Sequence, residues 1–203
     1  MEPWFDDCVR RVWETEAREV SRLSDYVDLA VAEQVMKLIG DCQGKVVVTG
    51  CGTSAAAAKK VVHSLSVIDV PAVFLVPSDA VHGSLGILRP EDVVVIISKG
   101  GNTAELTRFL PNVQGKGATI VGVGENPDSA IGRTSDVFLK VKIEREPDEF
   151  NMLATASTMA VIAVFDAICI ALMRYRGFTL DAFALNHPQG AVGERLAQGC
   201  RSR

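Results

Sequence analysis

Two short stretches of this chain gather glycines and hydroxyls where a strand gives way to a helix, and that combination suits an anion. The first is Gly50-Cys51-Gly52-Thr53-Ser54, between the β-branched run Val46–Val48 and the alanine run Ala55–Ala58. Such a run reads as a buried strand, and successive alanines start a helix strongly. The helix N-terminus presents free backbone N–H groups and the positive end of the helix dipole, so phosphate is the natural ligand. Gly50 and Gly52 allow the tight turn, and Thr53 and Ser54 add hydroxyl donors. The second stretch, Ser98-Lys99-Gly100-Gly101-Asn102-Thr103, follows Val93–Ile97 and leads into Ala104-Glu105-Leu106. Ser98 and Thr103 offer hydroxyls, the turn at Gly101 offers N–H groups, and Lys99 offers a cation. The first stretch is neither Gly-x-Gly-x-x-Gly, since Ala55 stands at the third position, nor a Walker loop; alone it reads equally as a plain turn with a serine cap. Its repetition sharpens the signal.

These loops need a scaffold that brings strand ends together. Strands are predicted at Val46–Thr49, Ala72–Val76, Val93–Ser98, Thr119–Val123 and Val137–Val141. Helices are predicted from Ala55 to about Ser66, from Thr103 to about Leu110 and over Met152–Met173, with a short turn near Ser129–Arg133. Apolar strands alternating with helices imply an α/β fold: a parallel five-stranded sheet between two helical layers, with ligands at the carboxyl edge. Ahead of it, Trp4, Phe5, Val9, Val12 and Trp13, then Leu23, Val27, Val31, Val35 and Leu38, recur at helical spacing. They predict an N-terminal helical arm over 1–43, before a sheet core and C-terminal helices over 44–198. A chain of 203 residues, 48% hydrophobic, fits one such domain over 1–203.

The net charge of −4 leaves no basic footprint for nucleic acid. Five scattered cysteines with no Cys-x-x-Cys pair argue against a zinc site or a disulfide framework and fit a reducing cytosol. Met152–Met173 carries one charge, Asp166, and approaches membrane-spanning length. It is rich in Ala, Ser and Thr and has no second such span, so the expectation is a helix buried all round in a core, not a membrane segment.

The two loops together resemble those of the SIS (sugar isomerase) fold, which binds phosphosugars. His82-Gly83, Leu85-Gly86, the Ser98 loop through Glu105, Ala154-Thr155 with Ser157-Thr158, and Gly177-Phe178 through His187-Pro188, Gly190-Ala191 and Gly193 resemble, more closely, the arabinose 5-phosphate isomerases. The resemblance runs from Lys45 to about Leu196. It implies catalytic positions at His82, Glu105, Glu146 and His187, a homotetramer with sites shared between subunits, and no cofactor or metal. Such members often carry paired CBS repeats after the isomerase domain; a stand-alone form is expected here. Each position has a plainer reading. His82 would cap a loop, Glu105 would complete a capping arrangement with Asn102, Glu146 would be solvated in a charged run, and His187 would belong to a turn.

Aldose–ketose isomerisation needs a base for the proton beside the carbonyl and groups that move protons between the two oxygens. Carboxylates and imidazoles tuned near neutrality suffice. Glu146 or Glu105 is expected as the carbon base, with His82 and His187 as oxygen shuttles. The chain departs from the family at Thr53, where a lysine is usual, and in Lys99–Thr103, so Lys99 is expected to supply the cation missing at 53. Two alternatives stay open: a hexulose 6-phosphate isomerase, and a sugar-phosphate sensor that binds without turnover.

Overall fold

The structure, a computed structural model, describes residues 2–190. Ala191, Gly193 and Leu196 of the last motif, and Cys200, lie outside the described residues. The arm comprises α1 (Phe5–Ser21), α2 (Leu23–Tyr26) and α3 (Leu29–Gly40). Then come β1 (Val46–Gly50), α4 (Gly52–Val67), β2 (Ala72–Phe74), α5 (Pro77–Ala80) and a 3-10 turn at Ser84–Ile87. β3 (Val93–Ile97), α6 (Ala104–Thr107), α7 (Leu110–Gly115), β4 (Thr119–Gly124), α8 (Ala130–Thr134) and β5 (Val137–Lys140) follow, and α9 (Ala156–Tyr175) and α10 (Leu180–Asn186) close the described chain.

The strands form one all-parallel sheet in the order β2-β1-β3-β4-β5. From β1 the chain winds outward to β2, then returns to lay β3 on the other side of β1. The gap between β1 and β3 is therefore the topological switch point, where an open α/β sheet leaves a crevice at its carboxyl edge. Both glycine loops leave the sheet there.

β1 and β3 are buried along their whole length. Their alternate side chains feed two cores, as strand geometry requires. Val46, Val48, Val93, Val95 and Ile97 pack under α3, α4 and α9 with Val35, Leu65, Phe165 and Leu172. Val47, Val94 and Ile96 pack under α6, α7 and α8 with Leu106, Phe109, Val113 and Ile131. The expected three layers are present.

Three helical expectations change. The helix predicted from Thr103 to Leu110 is two helices, α6 and α7, separated at Arg108–Phe109. Pro111 lies in the first turn of α7, where its missing N–H costs nothing, and it could not have continued α6. α9 begins at Ala156, not Met152, because the Asp148 carboxylate accepts the Phe150, Met152 and Leu153 N–H groups and ties them into a loop. Nor is α9 buried all round: Ala160, Val164, Phe165, Ile168 and Leu172 are buried, whereas Ala167, Ile170 and Ala171 are exposed.

α1 turns polar residues inward. Trp4, Phe5 and Trp13 face outward, while Thr15 and Glu19 are buried. The cause is a polar dock: the Glu19 carboxylate accepts the Glu144 N–H at 2.8 Å.

Candidate active site at the switch point

After β1, Gly50 lets the chain pass close to α4; a Cβ there would lie 2.9 Å from the Ser54 carbonyl oxygen. Cys51 stands at the N-cap of α4 and makes no side-chain cap bond. Among the described residues nothing accepts the N–H groups of Gly52, Thr53 or Ser54. A sixteen-residue helix therefore opens its N-terminus toward the crevice with its first donors unclaimed.

After β3, the Ser98 hydroxyl accepts the Gly101 N–H at 3.2 Å and shares a 3.0 Å hydrogen bond with the Thr103 hydroxyl. Gly101 has φ +70°, and a Cβ on it would fall 2.0 Å from Ser129 Oγ. The loop is braced from α8: Ile131 N–H donates to the Gly101 carbonyl, and Ala130 N–H donates to Asn102 Oδ1 at 2.9 Å. Asn102 is thus committed to α8 and does not form a capping pair with Glu105, which stands in the uncapped first turn of α6.

Lys99 reaches from this loop to Glu146, its Nζ 2.9 Å from Oε1. Glu146 is fully buried. Its Oε1 also accepts the Ser157 hydroxyl, and its Oε2 accepts the N–H groups of Thr155 at 3.1 Å and Ser157 at 3.3 Å. Glu146, whose plainer reading was a solvated charged run, thus caps the N-terminus of α9, a task the Thr155 hydroxyl leaves undone. Burial pushes the Glu146 carboxyl up, but the Ser157 hydroxyl, Lys99 and the Ser157 N–H outweigh it and hold it below its ordinary value. Thr53, Ser54, Lys99, Gly124, Glu125 and Ser157 are among the residues lining the small cavity of about 50 Å³ left between these elements.

Glu105 is exposed, and no hydrogen bond or ion pair engages its carboxylate among the described residues. It lies near the first loop: burial raises the Cys51 thiol, and the Glu105 charge adds to that rise. His82 follows α5, itself packed against α6, so it shares the carboxyl edge with Glu105 and is exposed.

His187 is elsewhere. It ends α10, stacked on Phe183 at 4.3 Å between ring centroids. Its neighbour Asn186 donates to the Val67 carbonyl and to Asp69 Oδ1, at the amino edge of the sheet. α9 crosses from one edge to the other, a span of roughly 30 Å at 1.5 Å per residue. One chain therefore gathers Thr53, Ser54, Lys99 and Glu146, holds Ser98, Gly101 and Thr103 in the adjoining loop, and keeps His187 apart.

Two site features escaped the reading of the sequence. Ser157 was noticed only inside a motif, without a role. Gly124 was not singled out at all, although a Cβ there would meet the Ser98 carbonyl oxygen at 2.2 Å. Its signal was a glycine at a strand end. Among the described residues, no three His, Cys, Asp or Glu side chains converge as a metal site would require.

The SIS domain model matches residues 41–171. The chain is 34% identical, over 97% of its length, to the arabinose 5-phosphate isomerase KdsD of Shigella flexneri, of which it spans 60%. A Listeria monocytogenes protein of solved structure, provisionally designated a sugar-phosphate isomerase, is 50% identical, with a TM-score of 0.91 over 93% of this chain and 99% of its own. An Escherichia coli protein solved in complex with arabinose 5-phosphate is 28% identical, with a TM-score of 0.88 over 93% of this chain and all of its own.

Proposed function

The chain belongs to the SIS domain family, and from that premise we propose that it interconverts a phosphorylated aldose and ketose, D-arabinose 5-phosphate and D-ribulose 5-phosphate. One observation carries the reading: the uncapped N-terminus of α4 faces the Lys99 ammonium across the switch point, with acidic side chains on the same edge. The phosphate sits on the Gly52, Thr53 and Ser54 N–H groups, aided by Lys99 and by the Ser98, Gly101 and Thr103 loop. A carboxylate then takes the proton from C2 of the aldose, an enediol forms, and the proton returns at C1 while another moves from O2 to O1. His82 and His187 serve the oxygens, and no cofactor is needed.

The amino-edge position of His187 supports a site completed by a second copy, and with it the homotetramer. The fold unit is the single domain over 1–203, and the scattered cysteines fit a cytosolic setting. No nucleic-acid or membrane partner is invoked.

The test is direct turnover. The protein incubated with arabinose 5-phosphate is expected to yield ribulose 5-phosphate, read by NMR. The sensor reading has one observation in its favour, since Thr53 supplies no charge and Lys99 is already paired to Glu146. It would be upheld by tight calorimetric binding without ketose from any pentose or hexose phosphate.

A further inference from the structure

We propose that Glu146 is a positioning residue that holds the Lys99 ammonium against the phosphate cradle, and that Glu105 alone is the carbon base. The proposal rests on the isomerase reading above and decides which of its two carboxylates acts.

A carboxylate has about four lone-pair directions. In Glu146 all four are engaged, by Lys99, the Ser157 hydroxyl and the N–H groups of Thr155 and Ser157, and the side chain is fully buried. A base that lifts a proton from carbon needs an open lone pair facing substrate and a basicity near the working pH. Glu146 has neither, because its donors also hold its carboxyl low. Glu105 has the open lone pairs and stands in the first turn of α6, where the Ser98–Thr103 loop ends at the carboxyl edge.

What Glu146 does accomplish is geometric. A lysine carries three N–H donors on a flexible stem. One donor is spent on Glu146, and the side chain, 42% exposed, keeps the others open to the crevice beside Thr53 and Ser54. The buried carboxylate, itself fixed to the first turn of α9, aims that ammonium and leaves it able to meet an anion.

Five variants test this with arabinose 5-phosphate kinetics and deuterium exchange at C2. Glu146→Gln and Lys99→Gln are each expected to raise KM by about ten-fold or more while exchange at saturation persists within about ten-fold of wild type. The double variant should be no worse than the poorer single, because the two residues act as one unit. Glu105→Gln should lose exchange by about a thousand-fold. If Glu146→Gln does not fold by circular dichroism, Lys99→Gln still decides. The acid limb of its rate profile should stay in place, and Lys99→Arg should recover much of the lost affinity.

A folded Glu146→Gln with wild-type KM and no exchange overturns the proposal, as does a double variant whose losses multiply. An acid limb that moves in Lys99→Gln overturns it too, since the titrating base would then be the ion-pair partner of Lys99. A wild-type protein that exchanges no sugar phosphate overturns the isomerase reading and the base assignment with it. The holding role is then judged by calorimetric affinity for arabinose 5-phosphate, which must fall in both Gln variants and is refuted if Glu146→Gln binds as wild type.

Discussion

Asp92 and Glu146 are both buried acids with a lysine against them, one at each edge of the sheet. Asp92 works at the amino edge. It accepts the Lys45 N–H at 2.9 Å, the Lys45 ammonium at 2.7 Å and the Arg89 N–H at 2.8 Å, stitching the start of β1 to the approach to β3. Burial pushes its carboxyl up, and these donors more than offset that, so it sits below its ordinary value. A carboxyl lowered in the folded state adds stability that is whole above the unfolded pKa of about 4 and fades as pH falls through the folded value. Asp92→Asn should therefore cost roughly 3 kcal/mol at pH 7 in urea titrations, with the gap to wild type narrowing at lower pH. A gap unchanged at acid pH would contradict the assignment. Gly101→Ala should lower the melting temperature as well, because the new methyl would collide with Ser129 Oγ at a φ of +70°. Unaltered melting would mean that the loop has another stable conformation.

At the scale of elements, two helices show apolar faces that the described residues do not cover. α1 points Trp4, Phe5 and Trp13 outward, α9 exposes Ile170, and an apolar groove of about 480 Å³ runs between α9 and the arm past Val20, Val27 and Met36. Under the homotetramer reading a second copy covers such faces, so Ile170→Glu should reduce the sedimenting mass, and an unchanged mass would place the interface elsewhere. The same helices mark where reading the sequence reached its limit. Periodicity showed that α1 is amphipathic but could not say which face meets the chain's own body, since the polar dock of Glu19 on Glu144 N–H joins segments far apart in sequence. The α6–α7 break is legible at Pro111, which suits the first turn of a helix and not its interior. The late start of α9 was not legible, because it depends on the loop folded around Asp148.

The whole molecule was legible where residue types are rigid: β-branched runs gave the strands, and glycines with hydroxyls gave the two loops at the switch point. Their partners were less so. Lys99 and Glu146 are 47 positions apart, and they meet where α9, whose first turn Glu146 caps, packs beside α4. The amino-edge place of His187 follows from a helix crossing the full depth of the sheet. If a second copy completes the site, mixing inactive Glu105→Gln and His187→Ala proteins should restore activity that neither has alone, because some mixed sites then carry both intact residues. Persistent inactivity after verified subunit exchange would confine each site to one chain. The central claim is that this crevice moves a proton between adjacent sugar carbons. Deuterium wash-in at C2 of arabinose 5-phosphate, followed by NMR in D₂O with the wild-type protein, tests it most directly. Deuterium appearing at C2 alongside ribulose 5-phosphate is the predicted result, and saturable binding with C2 left fully protonated would contradict it.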